Sequence, residues 1–259
     1  MRLTRVHVDM ALSAGTEVAL PEGPATHLSR VLRLGVGDQC VLFNGDGHDY
    51  PAQVTGAGKR DLRVRLDTPT PVGNESALRI VLLQGVARGE KMDLILQKAT
   101  ELGVAEVQPL FSQRSEVKLD AARAARRLAH WQAVVIAACE QSGRARVPAV
   151  AAPATLTQVL SALADPPATA FVTTNATDER ALRLILDPEG ELAFTGLPIT
   201  GAAQVVLAVG PEGGWSPADR EQLQSAGFRG LRLGPRILRT ETAGLAAIAA
   251  LQAGYGDLA

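Results

Sequence analysis

Gln204-Val205-Val206-Leu207-Ala208-Val209-Gly210-Pro211-Glu212-Gly213-Gly214-Trp215-Ser216-Pro217-Ala218-Asp219 reads as a strand, a glycine-rich turn and a helix in immediate succession. Gln204 to Val209 form an apolar run of buried-strand length. Ser216 is a natural N-cap, Pro217 suits the first helical position, and Asp219, three residues after the cap, completes a capping box. A strand feeding a helix through a short turn is the repeating unit of a parallel α/β sheet, and ligands bind at the carboxyl ends of such strands. Glycines there let backbone amides approach a ligand that side chains would obstruct, although the same residues also suit a tight βα turn that serves geometry alone.

Downstream, Leu233-Gly234-Pro235-Arg236-Ile237-Leu238-Arg239-Thr240-Glu241-Thr242-Ala243 places two arginines and a glutamate between a strand around 231–233 and a helix from Thr240 to about Ala253. That helix is rich in small residues (Gly244, Ala246, Ala247, Ala249, Ala250) and must pack closely on the sheet or on a second subunit. Thr240 suits the N-cap, and Glu241 suits the positive helix end. Upstream, Leu78 to Leu83 is a buried-strand run. Met92, Ile95, Leu96 and Ala99 then give the i, i+3, i+4, i+7 stripe of a helix ending near Gly103, and Val104 to Leu110 is strand-like again. A long helix is expected from Ala121 to Glu140, a strand at Ala170 to Thr173, and a helix from Pro217 to Ala226. The alternation predicts a mostly parallel sheet covered on both faces. Ala149 to Pro198, rich in alanine, proline and threonine, carries little periodicity.

The first 67 residues have a different rhythm. Short alternating segments are broken by turn residues: Val41-Leu42-Phe43 runs into Asn44-Gly45, a hairpin dipeptide, and Gly56-Ala57-Gly58 marks a turn before Leu62, Val64 and Leu66. A small β-barrel is expected, with one helix at His27 to Leu34 on the spacing of Leu28, Val31 and Leu32. Thr68 to Ser76, with Pro69, Pro71, Gly73 and Asn74, has no apolar period and holds the boundary. The division is 1–70 barrel, 71–77 linker and 78–259 α/β domain.

Composition excludes several classes. No apolar run approaches the roughly 18 residues of a membrane span, and Met1-Arg2-Leu3-Thr4-Arg5 does not open a signal peptide, so a cytoplasmic location is expected. Cys40 and Cys139 are far apart and read as core thiols, and four scattered histidines offer no metal pair, so no metal is expected. The formal net charge is −1, yet residues 114–146 hold seven basic side chains against three acidic ones. Such a patch permits RNA and also suits an ordinary solvated helix face. Gly-x-x-x-x-Gly-Lys-Ser/Thr is absent, the turn at Gly210 is not Gly-x-Gly-x-x-Gly, and Gly214 to Ala218 is not a nucleophile elbow.

Gly210 to Gly214 paired with Leu233 to Ala243 resembles the signature of the RsmE family, the 16S ribosomal RNA uracil N3-methyltransferases. His27 to Leu34, Arg88-Gly89-Glu90-Lys91-Met92 with Gln97 to Gly103, and Ala137 to Arg144 are similar to further segments of that family, in the same order. The resemblance implies a PUA-like RNA-binding barrel, a C-terminal SPOUT domain with a trefoil knot, a homodimer, and S-adenosylmethionine as cofactor. It implies cofactor contacts from Thr174, Gly210, Pro211, Glu212, Gly213, Gly214, Leu233, Gly234, Ile237 and Leu238, and contacts to 16S ribosomal RNA of the small subunit from Arg5, Arg30, Arg33, Arg114, Lys118 and Arg144. Uracil N3 is a poor nucleophile until its imide proton is lost or shared, so cations beside the flanking carbonyl oxygens and a proton acceptor are needed. Arg239 and Arg88 are the catalytic candidates for the first role, with Arg114 beside them, and Glu241 for the second. Each has a structural alternative: Arg88 pairing with Glu90, Arg114 holding phosphate, Glu241 capping its helix, Glu212 capping a neighbouring turn. Another RNA target, or a non-catalytic assembly role, is the competing reading.

Overall fold

The structure, a computed structural model, describes residues 3–58, 61–117, 119–164, 181–199 and 204–258. The chain forms two units, Met1–Glu75 with Ile136–Val147, and Ser76–Val135 with Pro148–Ala259.

In the first unit the strands β1 (Arg5–His7), β2 (Glu17–Ala19), β3 (Gln39–Phe43), β4 (His48–Ala57), β5 (Leu62–Leu66) and β6 (Thr70–Pro71) form one sheet in the order β1-β3-β4-β5-β2, with β6 on β4. Strand β5 shows why: Leu62, Val64 and Leu66 are buried while Arg63 and Arg65 face out, the period-2 pattern of a strand with one wet face. The hairpin at Asn44-Gly45 forms between antiparallel β3 and β4, with Gly45 and Gly47 at positive φ. Two expectations need correction. The helix expected at His27 to Leu34 starts earlier, as α1 (Glu22–Thr26), and continues as a wide π-type turn over His27–Val31. Of its three apolar residues only Leu28 enters the core; Val31 and Leu32 are exposed, and Arg33 at φ 59 ends the turn. The expected turn at Gly56-Ala57-Gly58 is instead the end of β4, which runs to Ala57 across a bulge between Val54 and Gly56.

In the second unit β7 (Arg79–Gly85), α2 (Glu90–Glu101), β8 (Glu106–Phe111), α3 (Ala121–Ser142), β9 (Ala149–Val150), β10 (Ala154–Thr155), α4 (Leu156–Ala164), β11 (Leu182–Leu186), β12 (Gln204–Val209), α5 (Pro217–Ser225), β13 (Arg229–Leu231) and α6 (Thr240–Tyr255) follow in order. The strand order is β10-β8-β7-β12-β11-β13, with β9 also on β8, and every pairing is parallel. Ile80, Val81, Leu82 and Leu83 of β7 are wholly buried, as a central strand covered on both faces requires. On α2 the expected stripe of Met92, Ile95, Leu96 and Ala99 is buried. The small residues of α6 serve the sheet: a Cβ on Gly244 would lie 3.5 Å from Val209. The final strand begins at Arg229, earlier than expected. The strand expected at Ala170 to Thr173 lies outside the described residues, whereas β9, β10, α4 and β11 emerge from a stretch whose composition gave no period. Both cysteines are buried, and burial pushes the thiols up to about 11 for Cys40 and about 12 for Cys139, so neither is a reactive thiolate.

Candidate active site

Three neighbouring parallel strands, β12, β11 and β13, end in Val209, Leu186 and Leu231, and these three residues line one cavity of about 600 Å³. It sits where a parallel sheet offers a ligand site, outside the carboxyl ends of the strands. Its walls are the loops that follow those strands: Asp187 and Pro188, Gly210 to Trp215, and Leu233 to Thr240 apart from Pro235. Both loops singled out in the sequence therefore meet in one place. Leu233 and Leu238 are half-buried, and Ile237 is 84% exposed on the rim.

The glycine turn is held from every side. Gly85, ending β7, lies against it so closely that a Cβ would come 2.5 Å from the Pro211 nitrogen. A Cβ on Gly213 would come 2.9 Å from the Arg114 carbonyl oxygen, and Gly214 stands at φ 65. Below the turn the capping box forms as expected: the Asp219 N–H donates to Ser216 Oγ at 3.0 Å and the Ser216 N–H to Asp219 Oδ2 at 2.9 Å. Asp219 does more, since its other oxygen accepts the Gln113 N–H at 3.2 Å and so ties the loop carrying Arg114 to the turn. Arg114 then donates to the Gly213 carbonyl at 3.3 Å. On the opposite side Thr240 departs from its expected role. Arg239 is the N-cap of α6, and the Thr240 hydroxyl donates to the Gly210 carbonyl at 2.6 Å while accepting from Gln84 Nε2 at 3.2 Å. Gln84, a polar residue closing an otherwise apolar strand, was the available signal for this clamp.

One end of the cavity is charged. Lys91 Nζ lies 3.3 Å from Glu212 Oε1 and 3.9 Å from Glu241 Oε2, the latter beyond hydrogen-bond reach. That Glu241 oxygen is buried and has no hydrogen-bond partner among the described residues, an uncommon state for a buried carboxylate oxygen. Glu212 lines the cavity and also caps a neighbouring turn, accepting the Arg88 N–H at 3.0 Å where Arg88 opens the turn to Lys91. Burial acts to raise its carboxyl, but hydrogen bonds from the backbone and from Lys91 outweigh it and hold the group below its ordinary 4.5. A depressed folded value stabilises the fold above pH 4.5 and loses that contribution as pH falls through the folded value. The melting-temperature gap between wild type and Glu212→Gln is therefore expected to be present at pH 7 and to close below pH 4.5; a gap independent of pH would reject this role. Arg239 is exposed on the cavity wall, and its guanidinium has no partner among the described residues, while its carbonyl accepts the Ala243 N–H at 2.7 Å.

Other candidates lie elsewhere. The Arg88 side chain is ion-paired with Glu116, not Glu90, and is not on the cavity wall. Arg5 and Arg144 are internal to the first unit and are not RNA-facing side chains. Arg5 pairs with Asp49 at 2.6 Å, donates to the carbonyls of Cys139 and Arg144, and stacks 4.5 Å above Phe43. Arg144 is 4% exposed and grips both Glu75 oxygens. Arg5→Leu is expected to cost about 3 kcal/mol of stability by stranding Asp49 and two carbonyls. A variant that melted like wild type but bound RNA more weakly would contradict that placement. Arg30 and Arg33 are exposed on the first unit. Thr174 and Lys118 lie outside the described residues. Lys91, Trp215, Asp187 and Arg220 line the cavity without having been singled out as ligands by the sequence.

Comparison with known proteins matches residues 74–252 to an RNA methyltransferase domain and residues 24–67 to an RNA methyltransferase PUA domain. Ribosomal RNA small subunit methyltransferase E of Synechocystis is 33% identical over 236 residues, covering 91% of this chain and 73% of that protein. The chain belongs to the ribosomal RNA small subunit methyltransferase E family. Its member from Neisseria gonorrhoeae, solved bound to S-adenosyl methionine, is 38% identical with a TM-score of 0.88, each chain covered in full. A methyltransferase from Legionella pneumophila in complex with the cofactor SAM is 34% identical with a TM-score of 0.89, again over the whole of both chains. The matched segments order the fold: an RNA methyltransferase PUA domain precedes an RNA methyltransferase domain built on a parallel sheet.

Proposed function

We propose that this chain transfers a methyl group from S-adenosylmethionine to N3 of a uracil in 16S ribosomal RNA of the small subunit, acting as a cytoplasmic homodimer. The observation that carries the reading is the convergence of the two loops on one cavity that offers backbone, apolar wall and opposed charges together. The residues fit the cofactor. Gly214 and Gly234, with open space where a side chain would stand, leave backbone open to a flat, polar-edged base, and Leu186, Leu231, Leu233 and Leu238 supply apolar cover. Lys91, Glu212 and Glu241 supply both signs of charge for an amino-acid end. When bound, the cofactor supplies an electrophilic methyl group on a sulfonium.

The chain's own part is to prepare the nucleophile and exclude water. Arg239 presents a planar guanidinium, without a partner among the described residues, that can hold the uracil carbonyl oxygens as negative charge develops on them once N3 loses its proton. Glu241, whose Oε2 has no hydrogen-bond partner among the described residues and lies 3.9 Å from Lys91 Nζ, is the proton acceptor. Arg88 acts indirectly, through the N–H that fixes Glu212. Arg33, exposed on the first unit, is placed for phosphate.

The test is to incubate the full-length protein with labelled cofactor and small subunits, or naked 16S RNA, from a strain lacking the modification, then map the product. Label at N3 of a uracil is expected. Label on another base or ring position would overturn the assignment, and no cofactor binding by calorimetry would favour an assembly role. Light scattering should give twice the chain mass; a strict monomer would remove the dimer.

A further inference from the structure

We propose that the first half of α3 is a second RNA contact, a phosphate grip made by Arg123, Arg126, Arg127 and His130. None of these residues lines the cavity, and the proposal rests on the reading of the chain as an RNA methyltransferase. The four fall at i, i+3, i+4 and i+7, so they form one stripe about 10 Å long on one face of the helix. All four are exposed, and together with Leu119 they border a surface groove of about 500 Å³. The helix packs through an adjoining strip, in which Trp131, Val135 and Ala138 are buried, while the four side chains of the stripe stay exposed.

Only the two ends of the stripe have carboxylate partners. Asp120 pairs with Arg123 at 3.4 Å and Asp93 with His130 at 2.8 Å, but Arg126 and Arg127 have no ion-pair or hydrogen-bond partner among the described residues. Arg123 and Arg127 stand one turn apart, where like charges repel, and the arginines crowd the helix end whose dipole is already positive. A surface that accepts both penalties is built for a counter-charge supplied from outside. Its chemistry fits a polyanion: the flanking residues are Ala121, Ala122, Ala125 and Ala129, all exposed and too small to keep a backbone of phosphates away. The aromatic anchors of a protein interface and the bulky apolar face of a membrane-bound helix are both missing from the stripe. About 10 Å is long enough to meet consecutive phosphates of one strand, each held by an arginine fork. Arg114, on the cavity wall, lies nine positions before Arg123 in the chain.

The experiment compares the full-length protein with the double variant Arg126→Gln/Arg127→Gln, using small subunits and 16S RNA as the probe. Affinity is read as a function of KCl, and methyl transfer as separate kcat and KM. The expected result is a log–log salt slope shallower by about 1.4–1.8, from two lost phosphate contacts. KM for RNA should rise about tenfold at physiological salt, with a smaller change in kcat and the same melting temperature. An unchanged slope and KM in a wild type that methylates RNA overturns the proposal, as does a change in self-association without a change in slope. If wild type transfers no methyl group yet binds RNA with a slope that the double variant loses, the grip stands and the proposed reaction falls.

Discussion

Arg239→Ala is expected to lower the turnover of methyl transfer by about 10²–10³-fold, the usual effect of deleting one donor aimed at developing negative charge. Affinity for the cofactor should change little. The reason for that asymmetry is geometric. The Arg239 backbone is fixed by its place as the N-cap of α6, where its carbonyl accepts from Thr242 and Ala243, and this survives the substitution. The side chain has no partner among the described residues, so its removal leaves no internal group stranded. Arg239→Lys should recover only part of the rate, because a point charge replaces a planar fork. Single-turnover rates and calorimetric cofactor binding check the split; an unchanged rate, or an equal loss in both, would reject a role in the transition state.

Gly85→Ala is expected to disable the site from beneath, with cofactor affinity down at least about 100-fold and the melting temperature lowered. A Cβ there would meet the Pro211 nitrogen at 2.5 Å, Pro211 Cδ at 2.7 Å and the Gly210 carbonyl carbon at 2.9 Å. These are backbone and ring atoms that cannot rotate aside, so the strand or the turn has to move, and overpacking of this kind costs about 1–3 kcal/mol or more. If the turn moves, the cavity wall formed by Gly210 to Trp215 moves with it. Gly254→Ala is the control: it lies near the end of α6 with open space around it and should leave both measurements intact. A Gly85→Ala protein that binds cofactor like wild type would show that the turn tolerates displacement.

Most of the second unit was legible because its signals are local. The stripe on α2, the apolar run of β7 and the capping box of α5 each declare themselves within a few residues. Strands β9, β10 and β11 were not legible: two are only two residues long, and the third sits in a stretch with no contrasting polar period, so their place is set by neighbours in the sheet. The cavity's glycines and Arg239 could be picked out from two charged or glycine-rich loops. What held those loops could not. Gln84 meets Thr240 across 156 positions and Asp219 meets Gln113 across 106, pairings that no local pattern encodes. Arg5 and Arg144 show the converse limit, since a basic residue in a sequence does not reveal that its guanidinium is enclosed by a carboxylate and carbonyls.

The anchoring of Arg5 also sets a timetable on the ribosome. Its partners include the Cys139 and Arg144 carbonyls, and the first unit is completed by Ile136–Val147. Once residue 75 has been made, the roughly 70 further residues up to 147 must be synthesised before that unit can close, which at ordinary elongation rates takes roughly 4–14 s. Until then the Arg5 guanidinium and the ring of Phe43 wait for a segment still inside the exit tunnel or the peptidyl-transferase centre. A ribosome-stalled chain ending before residue 136 should therefore remain sensitive to protease where one extended past the tunnel beyond residue 147 is resistant.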